Sequence, residues 1–287
     1  MPDSRTSGAF STTTAHPPQR MAGRVCLVTG GGSGIGRATA ILMAREGAAG
    51  VIVAGRRREP GDATAQACRE AGREAGLEAC RKAASEAGSG SGCDAHYVQA
   101  DVTREADAAA LVEFALARFG RLDVAFNNAG YQEPRALLEA QTRETFDAVL
   151  DANLRSVFYG LRHQIPAMLE RGGGRIIVNA SVSGIRNPNP GLALYSASKA
   201  AVISLVRSAA MECAPRGIRI NAIAPGRVVT SMMLGSGIDP NAIAASLPVR
   251  RLGEPEEVAQ AVVWLASDDA SYVVGHVLAA DGGFLSS

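Results

Sequence analysis

From residue 24 onward, short apolar runs rich in β-branched residues alternate with longer amphipathic stretches, and few architectures accept that alternation. Strand-like runs fall at Arg24–Thr29, Gly50–Ala54, His96–Ala100, Leu122–Asn127, Gly174–Ala180, Ile218–Ile223 and His276–Ala279. Helical periodicity fills Ile35–Glu46, Ala106–Arg118, Arg143–Arg171, Tyr195–Ala214 and Pro255–Ala266. Strands this short and this apolar suit burial on both faces, as in a parallel sheet covered by helices. Right-handed crossovers then lead to a doubly wound, Rossmann-like arrangement. The expected fold is α/β: a mostly parallel seven-stranded sheet with helices on both faces. No second core is visible, so residues 22–287 are expected to form a single domain. A chain of 287 residues, 47% hydrophobic and 20% charged, has the material for it.

Three segments stand outside the alternation. Residues 1–21 are rich in Ser, Thr, Pro and Ala, lack the apolar stretch of a signal peptide, and read as a disordered tail, with Met21 as a possible start of translation. Residues 59–93 are rich in Ala, Glu and Arg and run into Gly88-Ser89-Gly90-Ser91-Gly92; they read as a helix lengthened or broken by an exposed insertion. Residues 227–254 are rich in Gly, Pro and Met and read as a long loop serving a substrate.

Composition narrows the function classes. A net charge of +1 gives no electrostatic reason to expect nucleic acid or an anionic membrane as partner. No apolar run reaches the roughly 20 residues of a membrane-spanning helix. The five cysteines are scattered, odd in number and without a CxxC, which argues for reduced thiols, no metal site and a cytoplasmic setting.

Thr29-Gly30-Gly31-Gly32-Ser33-Gly34-Ile35-Gly36 joins the first strand to the first helix. Glycines allow a tight turn and a close backbone approach, and the helix N-terminus offers free N–H groups to a pyrophosphate. Alone, such a turn is equally a plain tight loop; its place between strand and helix favours a dinucleotide. An acid at the end of the second strand would take the ribose hydroxyls of NAD. Here Gly55 is followed by Arg56, Arg57 and Arg58, a pattern suited to a 2′-phosphate, so NADP is expected with NAD as the alternative. The competing reading is a solvated arginine run.

Tyr195 and Lys199 lie four apart, on one face of a helix, and Ser181 precedes Tyr195 by fourteen residues. A cation beside a phenol favours the phenolate and brings its pKa toward neutrality. A hydroxyl from Ser181 sharing one carbonyl oxygen with that phenol completes the proton-handling half of a ketone–alcohol interconversion.

Together these features resemble the short-chain dehydrogenase/reductase family over nearly all of residues 22–287. The resemblance rests on Thr29–Gly36, Asp101-Val102, Asn127-Asn128-Ala129-Gly130, Asn153, Ser181, Tyr195–Lys199 and Pro225-Gly226, in that order. It implies an NAD(P)-dependent oxidoreductase with Ser181, Tyr195, Lys199 and Asn153 as the catalytic residues. In it Lys199 lowers the tyrosine pKa and binds ribose hydroxyls, and Asn153 bends its helix and holds a water behind the lysine. The implied cofactor contacts are Gly30, Ser33, Gly34, Ile35, Gly36, Arg56, Asp101, Val102, Asn127, Ala129, Gly130, Tyr195, Lys199, Pro225, Gly226, Val228 and Thr230. Asp101 reads equally as a helix N-cap, Asn127 as a structural brace and Thr230 as a loop hydroxyl. The implied substrate is a small carbonyl or alcohol, with Tyr131, Gln132, Arg186, Asn187, Leu192, Arg227, Met232 and Met233 as candidate lining residues. Arg186 and Arg227 could receive an acidic group, though a solvent-facing arginine is the ordinary state. The family also implies a homodimer or homotetramer built through the long helices. Two other readings of the fold are a noncatalytic dinucleotide sensor or scaffold, and a lyase or dehalogenase variant.

Overall fold

The computed structural model describes residues 19–82, 92–187, 190–235 and 239–287. Seven strands form one sheet: β1 (Val25–Thr29), β2 (Gly50–Gly55), β3 (Asp94–Gln99), β4 (Val124–Asn127), β5 (Gly174–Asn179), β6 (Ile218–Pro225) and β7 (Val277–Ala280). Their order is β3-β2-β1-β4-β5-β6-β7, and every pairing is parallel rather than most of them. Side chains alternate across the sheet as the two-residue period requires. Cys26 and Val28 face a layer containing α1 (Gly34–Arg45) and α9 (Pro255–Ala266); Val25 and Leu27 face α3 (Glu105–Phe119), α5 (Ser156–Leu169) and α6 (Ala193–Cys213). The strand order reverses between β1 and β4, which opens a crevice beyond their carboxyl ends.

Helix α2 (Arg58–Lys82) is lengthened and runs unbroken for 25 residues. It packs closely because Gly72 lies where a Cβ would come 2.6 Å from Cys93 Cβ, and Cys68 is part of the core. Most of the Gly/Ser-rich stretch falls on residues 83–91, outside the described residues. Residues 227–254 are not a continuous loop: they hold α7 (Ser231–Leu234) and α8 (Pro240–Ser246), and their ends pair as a bridge between Val228 and Gly253.

Two boundaries move. The ordered chain begins before residue 22: Met21 is fully buried, its N–H bonds the Glu46 carbonyl oxygen at 2.9 Å, and Arg20 pairs with Glu46 at 2.6 Å. The rest of the expected tail, residues 1–18, lies outside the described residues. The helix expected over 143–171 is divided into α4 (Arg143–Leu150) and α5 by a π turn at Asp151–Arg155. Among the described residues no helix is long and apolar enough to cross a membrane.

Candidate active site

A cavity of about 790 Å³ runs along the carboxyl ends of the strands, within the size range of small-molecule sites. One end lies against Gly55, Arg56, Arg57 and Tyr97, the other against Ser181, Tyr195 and Arg227. Between them it meets the turn after β1. Gly30 and Gly34 there have φ of +63° and +51°, a region open to glycine. A Cβ on Gly36 would lie 2.5 Å from Asn128 Nδ2 and closer still to the Gly30 carbonyl oxygen. Ser33, the α1 N-cap, makes no side-chain cap bond. The turn therefore presents backbone and a helix N-terminus to the cavity, a fit for a pyrophosphate.

Most expected contacts line this cavity: Gly30, Ser33, Gly34, Ile35, Arg56, Asp101, Val102, Ala129, Gly130, Pro225, Gly226, Val228 and Thr230. Gly36 shapes the turn without lining it. Asn127 does not line it either: it is buried, and its carboxamide exchanges two 2.9 Å hydrogen bonds with Gln164 of α5. Its neighbour Asn128 takes the position instead. Asn128 Nδ2 donates to the carbonyl oxygens of Thr29 (3.0 Å) and Gly30 (3.3 Å), and Oδ1 accepts from Asn179 Nδ2 at 2.9 Å. Asp101 is not a helix N-cap, since α3 begins four residues later with Arg104 as its cap. Its carboxylate instead accepts from the backbone N–H and the hydroxyl of Thr103, at 3.1 and 2.8 Å. Thr230 caps α7, accepting from Met233 N–H at 3.2 Å, and its hydroxyl proton stays free to donate.

Ser181, Tyr195 and Lys199 come together at the far end. Ser181 starts a 3₁₀ turn, Val182–Gly184, whose glycine sits where a Cβ would meet the α6 backbone at 2.7 Å. That approach carries Ser181 toward Tyr195, close enough for its hydroxyl to act on the phenol. Ser183, the rival hydroxyl, also borders the cavity, but its backbone N–H donates to Ser181 Oγ at 3.1 Å. Lys199 is 3% exposed; its Nζ donates to the Asn179 carbonyl oxygen at 2.6 Å and lies 5.7 Å from the Tyr195 ring centre. Burial lowers its pKa to about 8.

Burial pushes the Tyr195 phenol up; the Ser181 hydrogen bond and the Arg227 charge pull it down, and the Glu133 charge adds to the rise. Arg227, expected as a lining residue that could receive an acidic group, is thus also a cation acting on the phenol. Glu133 is also new: buried, it accepts the Tyr195 backbone N–H at 3.1 Å and ties the loop after β4 to the start of α6.

Asn153 sits in the π turn, fully buried. Its carboxamide accepts from Tyr131 N–H (2.7 Å) and donates to the Tyr131 carbonyl oxygen (2.8 Å) and to Ser198 Oγ (2.9 Å). Both ends of the carboxamide are engaged by these partners. Of the candidate substrate residues, Tyr131, Gln132, Arg227, Met232 and Met233 line the cavity, whereas Arg186, Asn187 and Leu192 do not.

Comparison with known proteins agrees with this architecture. Family models described as short chain dehydrogenase and Enoyl-(Acyl carrier protein) reductase match residues 24–80 and 54–285. The chain is 42% identical to an A-factor type gamma-butyrolactone 1′-reductase of Streptomyces virginiae over 266 residues, 91% of this chain and 95% of that protein. It is 41% identical to a cis-4-hydroxycyclohexanecarboxylate dehydrogenase of Sinomonas cyclohexanicum, covering 93% and 98%. The crystal structure of a levodione reductase superposes with a TM-score of 0.83 at 37% identity, covering 93% of this chain and 99% of that one. Fold, cavity and relatives converge: the chain belongs to the short-chain dehydrogenase/reductase family of NAD(P)-dependent oxidoreductases.

Proposed function

We propose that the protein interconverts a ring-bearing secondary alcohol and its ketone, with NADP as the preferred cofactor. The observation that carries this reading is the cluster of buried Ser181 and Lys199 with half-buried Tyr195, at one end of a cavity whose middle is a glycine cradle. A ring is favoured because the gamma-butyrolactone and hydroxycyclohexanecarboxylate in the names of the two similar enzymes are cyclic.

When bound, the dinucleotide supplies or takes up the hydride. Backbone N–H groups of Gly30, Ser33, Gly34 and Ile35 would hold its phosphates, and Asp101 and Val102 its adenine. Ala129, Gly130, Pro225, Gly226, Val228 and Thr230 would hold the nicotinamide end, and Tyr195 and Lys199 the adjoining ribose. Arg56 and Arg57 line the cavity beside Gly55, and among the described residues neither is paired with an acid, which supports a 2′-phosphate there.

In reduction Ser181 donates a hydrogen bond to the substrate oxygen and fixes it beside the phenol. Tyr195 then gives its proton to that oxygen as the oxygen becomes an alcohol, and Lys199 replenishes the phenol from behind. Oxidation reverses the proton movement. Asn153 acts on this site by holding Tyr131, at the rim of the cavity, and Ser198. We further propose a cytoplasmic homodimer or homotetramer assembled through α4, α5 and α6, whose outer faces expose Phe146, Phe158 and Met211. Reduced thiols fit that setting: Cys68 and Cys93 are buried, and burial raises their pKa to about 12.

Tyr195→Phe tests the reading. Turnover of a cyclic ketone should fall by roughly 100-fold or more, while NADPH affinity by nicotinamide fluorescence stays within about threefold, since the phenol is one of many contacts. Near-normal turnover in the variant sinks the assignment.

A further inference from the structure

Arg227 is placed as a ligand-binding arginine rather than a surface one. It follows β6 and Gly226, and its backbone is pinned, with its carbonyl oxygen accepting Gly253 N–H at 2.9 Å. The side chain is half-buried, lines the cavity, and acts electrostatically on Tyr195. Its guanidinium lies 6.0 Å from the centre of the Phe284 ring. Phe284 is itself fixed, because Arg186 packs on it at 5.4 Å and donates to the carbonyl oxygens of Phe284 (3.0 Å) and Ser287 (2.5 Å). A flat ring under a guanidinium holds its plane and lowers the entropy lost when the fork is occupied.

What the guanidinium lacks is an anion. Among the described residues Arg227 makes no ion pair and no side-chain hydrogen bond, and residues 188–189 and 236–238, which are outside the description, include no acid. The buried acid near Tyr195, Glu133, does not line the cavity; its Oε1 accepts the Tyr195 N–H. Burial, and then the charge of another cation, Arg135, lower the Arg227 pKa, and Tyr195 raises it. Arg135 lines the same cavity, and among the described residues its side chain bonds the Pro190 carbonyl oxygen, at 2.9 Å. The carboxylates that line the cavity are engaged elsewhere, Asp101 by Thr103 and Asp151 by Arg155, so among the described residues the half-buried Arg227 charge has no partner beside the site of proton transfer.

We propose that Arg227 is an anion subsite and that the substrate carries a carboxylate, bound by the Arg227 fork while the reacting oxygen lies between Ser181 and Tyr195. Arg135 adds long-range attraction at the mouth. One intact fork matches one carboxylate. The inference rests on the oxidoreductase reading above and narrows its substrate class.

Calorimetric titration of 3-oxocycloalkanecarboxylates of five, six and seven ring atoms, against their methyl esters, tests it. The enzyme is held with NADP⁺, so that a ketone binds without turning over. For at least one ring the acid should bind the wild type roughly 10- to 100-fold more tightly than its ester, the span of a charge-assisted hydrogen bond. Arg227→Met should bind acid and ester alike, with ester affinity near the wild-type value, and Arg227→Lys should keep part of the preference. Equal binding of acid and ester in all three rings, or a preference that survives Arg227→Met, overturns the proposal. Reduction of the esters by NADPH reports separately on Ser181, Tyr195 and Lys199, so failure of that reading is distinguishable from failure of this one.

Discussion

Replacing Lys199 with methionine should make the protein more stable at neutral pH while removing its activity. Lys199 is one of only two lysines in the chain, and burial moves its pKa from 10.5 to about 8. At about 1.4 kcal/mol per unit, a displacement of that size costs about 3 kcal/mol of stability wherever both states are protonated. Methionine has a similar length, fills the same space and carries no charge. What it loses is the 2.6 Å bond to the Asn179 carbonyl oxygen, which leaves that oxygen unpaired at a cost of about 1–2 kcal/mol. The balance favours the variant by about 1–2 kcal/mol at pH 7. The advantage has a defined pH dependence. Because the folded pKa lies below the unfolded one, the unfolded chain binds more protons between about pH 8 and 10.5, and wild-type stability rises with pH through that window. Below pH 8 the full cost is present; above 10.5 it has vanished and the wild type should be the more stable. Urea unfolding of both proteins at pH 7, 8, 9 and 10 measures the gap, and taking the difference cancels every other titrating group. A wild type more stable than the variant at pH 7, or a gap unchanged from pH 7 to 10, would refute the reasoning.

Two further outcomes follow from other parts of the site. Substituting both Arg56 and Arg57 with alanine should reduce the ratio of NADPH to NADH affinity by roughly 10- to 100-fold, with little effect on NADH, as measured by nicotinamide fluorescence. An unchanged ratio would mean that the arginines are merely solvated. Asn153→Ala removes three hydrogen bonds and leaves both backbone groups of Tyr131 without their partner. It should destabilise the fold by roughly 2–4 kcal/mol, lower the urea midpoint, and accelerate hydrogen exchange at the Tyr131 amide. A midpoint within experimental error of the wild type would show that the π turn stands without that tie.

The strands were readable because burial on both faces writes itself as an unbroken apolar run, and the glycine turn because only glycine tolerates its backbone. Ser181, Tyr195 and Lys199 were readable because helix and turn spacing already place them near one another. Features that depend on distant partners were not. The family resemblance implied a bend at Asn153, but its tie to Tyr131, 22 residues earlier, leaves no trace in a local helical pattern. Asn127 and Asn128 are chemically identical in sequence, and only the direction of the last residue of β4 sends one to Gln164 and the other to the cradle. Met21 looked like part of the tail because its neighbours are polar, yet it packs into the core and bonds Glu46. The importance of Arg227 lay in the absence of an acid around it, which only three dimensions reveal.

Asn128 has a consequence for how the two ends of the site keep their distance. It grips the glycine turn through the carbonyl oxygens of Thr29 and Gly30, and it holds Asn179, whose own carbonyl oxygen receives Lys199 Nζ. These residues stand at or just beyond the ends of β1, β4 and β5, three adjacent strands. The separation between cradle and ammonium is thereby measured in strand spacings, two steps of about 4.8 Å each. The sheet acts as a ruler between the glycine cradle and the catalytic ammonium, and Asn128 is the mark at its middle.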